Sequence, residues 1–403
     1  MAKKLWGGRF KKETDKEFFE FQKSIQYDYK LAEFDIAHSL IHTSALANAR
    51  IISAKEKSKL HNALKKIESD IKKGIYHYDA KAEDIHTDIQ NKVQNLIGSL
   101  ALKMHTLRSR NDQVAFDEKM YCHFNAGKIA QFLQDLILSV KLLKSKYKNV
   151  KIVGYTHTQR AQKVLFSDYI GAYECMFERD KKKIEAFVKG LDIHIGAGAL
   201  AGSSIAGNYA SAIKEYLKGK KGLKIQISVN TLDDVSSRDF IIDLLNILVL
   251  IQLHLSRLAE DMILYSTKEF NFINLPEEFC TGSSLMPHKK NPDFLELVRG
   301  YTGRVYGNLV AILTTMKGLP LTYNRDMQLD KEPLFSSVEI VSSELKIMAN
   351  LIKALELNMT AIEQALEDEE LDAVEEAEEM VREHGISFSR AHEIVGKRIA
   401  RKK

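Results

Sequence analysis

Proline, cysteine and tryptophan are scarce in this chain. Its 403 residues hold 5 prolines, 3 cysteines and 1 tryptophan. So few prolines leave long stretches with nothing to interrupt a helix, because proline removes a backbone donor and clashes with the preceding turn. Cys122, Cys175 and Cys280 are too few for a disulfide framework, and their spacing fits no metal site. Cys280 adjoins a polar loop, but nothing marks it as a nucleophile. A long apolar run is also missing. The most apolar stretch, Phe240 to Leu255, is interrupted by Asp243, Asn246, Gln252 and His254. It falls short of the roughly 20 residues that a membrane span needs and reads as a helix buried on most of its sides. The N-terminus lacks the apolar core of a signal peptide. A net charge of +5 is mild, and the basic tail Arg398 to Lys403 reads as solvated rather than nucleic-acid-binding. These exclusions leave a reduced, cytoplasmic protein, with neither membrane nor nucleic acid as partner.

Strand signals are nearly absent. The alternation Ile225-Gln226-Ile227-Ser228-Val229 is the best of them, and it is short and isolated. Helical periodicity dominates instead. Residues 28–52, 55–73 and 84–103 read as an N-terminal helical unit. Residues 112–147 place Ile129, Phe132, Leu133, Leu136, Val140 and Leu143 at three- and four-residue spacing. Residues 162–195, 234–268 and 292–317 are further long candidates, and several such helices imply a bundle. Gly300, Gly303 and Gly307 fall near one face of the last, a spacing that predicts close helix packing. That helix is expected to end at Gly318, with Pro320 just beyond. The acidic run 367–383 reads as a helix with a solvated face rather than a metal site.

Four polar segments stand out. Residues 281–293 read Thr-Gly-Ser-Ser-Leu-Met-Pro-His-Lys-Lys-Asn-Pro-Asp. A small-residue turn with two lysines runs into a helix start, where Asn291 suits the N-cap, Pro292 the first helical position and Asp293 the first turn. Such a loop is suited to a carboxylate substrate. Residues 105–113 offer Arg108, Arg110 and Asn111 at the start of a long helix, suited to clamping a carboxylate bidentately. Residues 154–162 surround His157 with hydroxyls and amides, and histidine transfers protons near neutral pH. Residues 323–331 form a polar cluster after a Gly/Pro break. Each alone has a structural alternative: a satisfied core histidine, or a capped and salt-bridged helix start. Together they are hard to explain as solvated surface.

The 281–293 segment closely resembles the signature loop of the fumarase/aspartase superfamily. Further segments are similar to the argininosuccinate lyase family: Lys4 to Phe10, Ser24-Ile25 with Tyr27-Asp28, Glu83 to His86, Gly198 to Gly202, Ser237 to Phe240 and Leu264 to Phe270. The likeness runs from residue 4 to about 333, then weakens until Ala391 to Gly396. It implies an all-α, three-domain fold with a long central helical bundle. The divisions would be residues 1–106, 107–358 and a shortened 359–403.

The resemblance also implies chemistry. The family cleaves argininosuccinate to arginine and fumarate, in arginine biosynthesis and the urea cycle, with no metal or organic cofactor. A base takes the proton from the carbon beside a carboxylate, and an acid protonates the departing guanidinium nitrogen. The aci-carboxylate intermediate is a dianion, so donors and positive charge must surround it. By the family pattern Ser283 is the base, acting as an alkoxide, and His157 lies on the acid side, oriented by Glu296. Lys289, Asn291 and the loop amides would stabilise the alkoxide and the intermediate. Ser24, Asp28, Arg110, Asn111, Thr156, Arg238, Tyr323, Gln328 and Lys331 match substrate-binding positions. The family is a homotetramer whose active sites are shared between subunits.

The chain departs from the pattern in places. Leu107 stands where the family has Gly or Ala, Thr158 replaces the usual Leu, Gly207 to Tyr209 lack the usual Pro, and His288 replaces a frequent Gln. His288 motivates a rival reading as an adenylosuccinate lyase-like enzyme. Leu107 and the short C-terminus motivate another, a non-catalytic crystallin-like protein on the same scaffold.

Overall fold

The computed structural model describes residue 12 and residues 14–402. The Lys4 to Phe10 motif lies outside them. The described chain is all-α apart from three two-stranded sheets. It divides into two compact units. The first is Met1–Lys128, Ile184–Asn246 and Gly307–Val338; the second is Ile129–Lys183, Ile247–Tyr306 and Glu339–Lys403.

In the first unit, the Ala54–Lys72 helix starts with a capping box. Ser53 Oγ accepts from the Glu56 amide at 3.2 Å, and Glu56 accepts from the Ser53 amide at 2.8 Å, satisfying two donors that the first turn leaves unpaired. Leu60, Leu64 and Ile67 fall on its buried face, matched by Ile85, Ile89 and Val93 of the Ile85–Ile97 helix. Burying each such side chain contributes about 1.5–3 kcal/mol. The unit holds a feature that composition hides. Every residue from Asp112 to Cys122 in the Arg110–Lys146 helix is buried, including Asp112, Asp117, Glu118 and Lys119.

In the second unit, Ile129, Leu133, Leu136, Val140 and Leu143 are buried as their spacing predicts, and Phe132 lies under the Lys346 ammonium. The Phe388–Lys402 and Ala373–His384 helices share a small core of their own around Ala377, Ala391 and Val395. The acidic run is thus helical over most of its length.

Several expectations need correction. Residues 151–165 form an antiparallel hairpin, Lys151–Thr156 with Gln159–Leu165, so the helix expected from 162 begins at Phe166. The Ile225–Ile227 strand is not isolated but pairs in parallel with Ile193–Ile195. The Lys331–Ala354 helix has no counterpart in the sequence reading. A Cβ on Gly300, Gly303 or Gly307 would meet nothing within 4 Å, so the expected tight packing is absent among the described residues. Gly318 does take the left-handed conformation, at φ 74°, just past the helix end at Met316. The apolar Asp239–Ser266 helix is long and apolar enough to cross a membrane, by length and composition only. Of its most apolar window 44% is buried, so it is covered on fewer sides than its composition suggests.

Candidate active site

In the first unit, most of the predicted binding residues gather around two buried acid-and-base groups. Ser24 Oγ donates to Asp28 Oδ2 at 2.6 Å, while Asp28 Oδ1 accepts from the Ile85 amide at 3.0 Å. Burial and the neighbouring Asp84 carboxylate push Asp28 up to about 6. Asp84 caps the Ile85–Ile97 helix through the Thr87 amide and pairs with Arg110 Nε at 2.9 Å. Arg110 also donates to Thr87 Oγ1 and Gln113 Oε1. Its guanidinium is held in place before any substrate arrives. Asn111 Nδ2 donates to the Ala199 carbonyl at 3.2 Å.

The second group joins three distant stretches of chain. Arg238 Nε lies 2.5 Å from Asp330 Oδ2 and 3.1 Å from Glu118 Oε2. Lys331 Nζ lies 2.7 Å from Glu118 Oε1 and 2.9 Å from Asp330 Oδ1. All four side chains are almost wholly buried. Burial and Asp330 push Glu118 up to about 7, whereas Lys331 and Arg238 hold Asp330 below its ordinary value. Beside this group, Gln328 Nε2 donates to the Gln22 carbonyl, and the Tyr27 and Tyr323 phenols both feel the Lys331 charge. Arg238, expected on the substrate, is 1% exposed and braces two carboxylates. Glu118 and Asp330 were missed. The signal for Glu118 was charge on every face of the 112–122 segment, which reads as solvent exposure until burial is known; Asp330 lies in the 323–331 polar cluster.

A cation could be held by Asp35, His86 and Asp117, whose ligating atoms lie within 4.8 Å of one another, all buried. Protein groups already balance this charge: His86 Nδ1 lies 2.8 Å from Asp35 Oδ1, Gln113 donates to the same oxygen, and the buried Arg108 guanidinium acts on both carboxylates. Burial raises Asp117 well above the carboxylate range, which favours its neutral form.

In the second unit, Thr156 and His157 sit at the hairpin tip. Thr156 pairs with Gln159, and the two residues between them, His157 and Thr158, have φ of 55° and 58°. Positive φ at both central positions defines the type I′ turn that matches strand twist. Asn-Gly usually supplies it, so a histidine and a threonine hold this backbone at a cost. The tip is exposed. Arg160 and Lys163, farther along the second strand, pair with Asp368 at 3.0 Å and Asp372 at 2.7 Å.

The 281–293 loop is closed at its base by reciprocal backbone hydrogen bonds between Thr281 and Asn291. The Thr281 hydroxyl donates to Asp293. Ser283 Oγ accepts from the Met286 amide at 3.0 Å and the Leu285 amide at 3.3 Å. Lys289 is exposed. Asn291 does not cap the helix; its Nδ2 lies 3.4 Å from the Gly282 carbonyl, and the helix begins at Asp293. Glu296 is exposed and faces Arg299 at 3.7 Å. Among the described residues no hydrogen bond or ion pair joins Ser283, His157 and Glu296 to one another.

The chain is a lyase of all-α fold. Residues 8–307 match the family model described as Lyase. An argininosuccinate lyase from Legionella pneumophila (strain Lens) is 43% identical over 402 residues, covering 99% of this chain and 96% of that protein. One from Geotalea daltonii is 43% identical over 98% of this chain and 85% of its own. The chain belongs to the argininosuccinate lyase family. The crystal structure of fumarate lyase:delta crystallin from Brucella melitensis bound to cobalt has the same fold. It matches at a TM-score of 0.79 and 18% identity, over 94% of this chain and 86% of that one.

Proposed function

We infer that this protein cleaves argininosuccinate to arginine and fumarate by β-elimination. The observation that carries this reading is the 43% identity to argininosuccinate lyases over nearly the whole chain. Ser283 is the base. Its Oγ already accepts two backbone amides, the donors that an alkoxide needs. Lys289, exposed on the same loop, supplies positive charge for the alkoxide and the aci-carboxylate. Asn291 braces the loop through Gly282. His157, displayed by its I′ turn, protonates the leaving nitrogen, and Glu296 orients it. Ser24, Asp28, Arg110, Asn111, Thr156, Arg238, Lys289, Asn291, Tyr323, Gln328 and Lys331 bind substrate, and no metal or organic cofactor takes part.

The protein works as a homotetramer in which each active site draws on several subunits. Two observations support this. Ser283, His157 and Glu296 share no hydrogen bond or ion pair with one another among the described residues. Leu138, Leu142, Leu297, Val310 and Leu313 are large apolar side chains left exposed on long helices. A three-domain division at residues 106 and 358 goes with this reading, supported at its C-terminal end by the separate core around Ala391. So does a cytoplasmic location. The test is fumarate absorbance on mixing purified protein with argininosuccinate, beside a sizing measurement. A tetramer without fumarate release sinks the activity; an active monomer sinks the sharing of sites.

A further inference from the structure

We propose that Glu118 is a positioning residue for Lys331, holding its ammonium so that one N–H remains directed at a carboxylate of the substrate. This deepens the proposed lyase reading and rests on it.

An ammonium has three N–H donors. Asp330 Oδ1 accepts one of them at 2.9 Å, and the Glu118 carboxylate pins the ammonium by charge, with Oε1 2.7 Å from Lys331 Nζ. Among the described residues Asp330 is the one side chain that accepts a hydrogen bond from this ammonium, and the Tyr27 and Tyr323 phenols feel its charge. A lysine stem carries several rotatable bonds and is a poor pointer unless its head is pinned. Two pins fix where its donors point.

The pins are themselves fixed. The second oxygens of Glu118 and Asp330 both face Arg238 Nε, at 3.1 and 2.5 Å. The two carboxylates and two cations sum to zero charge, which is how such a group survives burial. Glu118 stands on the helix with the buried Asp112–Cys122 segment, so its backbone is immobilised by packing on every side. Lys331, in contrast, is the first residue of its own helix, next to a 3₁₀ turn. The rigid element therefore holds the terminal one. Besides these partners, the charged and titratable groups coupled to Glu118 and its neighbours include Asp117, Cys122, Tyr323, Tyr27 and Asp28.

The test compares Glu118→Gln with wild type in steady-state cleavage, with sizing and thermal melting to establish that the variant is folded. A misdirected lysine weakens substrate binding more than it slows the chemical step. The expected result is a KM raised about tenfold or more, with kcat within about threefold. Asp330→Asn, which removes the other pin, should show the same split. The unmodified enzyme offers a third readout. Glu118 is pushed up to about 7, and protonation removes one pin, so KM should rise as pH falls through that value. Either variant that folds and assembles like wild type yet keeps its KM within twofold overturns the proposal. Should neither fold, a wild-type KM that stays flat between about pH 6 and pH 8 overturns it. Absence of fumarate release from wild type would sink the lyase reading instead.

Discussion

Lys331 and Lys289, both matched to functional positions of the family, occupy opposite surroundings. Lys331 is 4% exposed and bound by two carboxylates, whereas Lys289 is exposed on the 281–293 loop. Around Lys331 every charge has an opposite partner, and burial makes each partner expensive to remove. Around Ser283 the electrostatics come from backbone amides and from a lysine head that water can reach. The buried group can fix a direction but cannot move without losing several kcal/mol. The loop's donors, by contrast, have little to break if it moves. On the proposed reading, substrate orientation and proton removal fall in surroundings with different tolerance for change.

The largest expected effect sharpens this contrast on the loop side. Ser283→Ala should lower kcat by roughly 10²–10⁴-fold, the range for removing a positioned proton-transfer group. The melting temperature and the assembly should be unchanged, because only two loop amides lose a partner. Fumarate release and thermal melting measure both. Near-full activity would remove Ser283 from the chemistry.

The buried side should respond the other way. Arg238→Met leaves Glu118 and Asp330 facing each other with Lys331 as their only cation. Breaking a buried pair in this way costs about 3–5 kcal/mol. Denaturant unfolding should show the loss directly, whatever happens to activity. An unchanged midpoint would mean that the group is open to water.

The loop was legible from sequence because glycine, serines and proline in thirteen consecutive residues can be read as a turn before a helix. The long helices were legible for a similar reason: Ile129, Leu133, Leu136, Val140 and Leu143 repeat on one face. Three things were not. The hairpin at 151–165 carries lysines along its strands, and His157 and Thr158 occupy a turn that Asn-Gly would have advertised. Asn291 has the composition of a cap but spends its amide on Gly282, because loop closure took precedence. The 112–122 segment shows polar residues on every face, and sequence alone assigns those to water. Only tertiary partners such as Arg238 and Lys331, more than 100 residues away, reverse that assignment.

A second buried carboxylate tests whether burial or pairing governs such groups. Glu344 is 5% exposed and has one amide partner, Gln252 Nε2, at 2.6 Å. With no cation beside it, burial pushes it up to about 8. Between the ordinary carboxylate value and about 8, the folded state holds a proton that the unfolded state has released. Stability therefore falls as pH rises through that window, by up to about 1.4 kcal/mol per pH unit. Glu344→Gln keeps an amide partner for Gln252 and removes the slope. Unfolding at pH values across the window should show wild type losing stability relative to the variant as pH rises. Parallel profiles would mean that Glu344 is charged in the folded protein.

The smallest effect concerns the entrance to the buried helix. Leu107 has φ 56°, a left-handed conformation that costs a side chain about 1–2 kcal/mol. It is 47% exposed, so little apolar burial compensates. Its carbonyl accepts from Ser203 Oγ at 3.3 Å, which holds the backbone in that shape just before Arg108 and Arg110. Glycine adopts the shape freely, at some entropic cost in the unfolded chain. Leu107→Gly should therefore stabilise the protein by about 1 kcal/mol or slightly less, read from the denaturant midpoint. Because the Ser203 bond is to backbone, the position of Arg110 should be unaffected and KM should stay within about twofold. A stabilised variant with a much higher KM would mean that the Leu107 side chain, and not only its backbone, sets the arginine clamp.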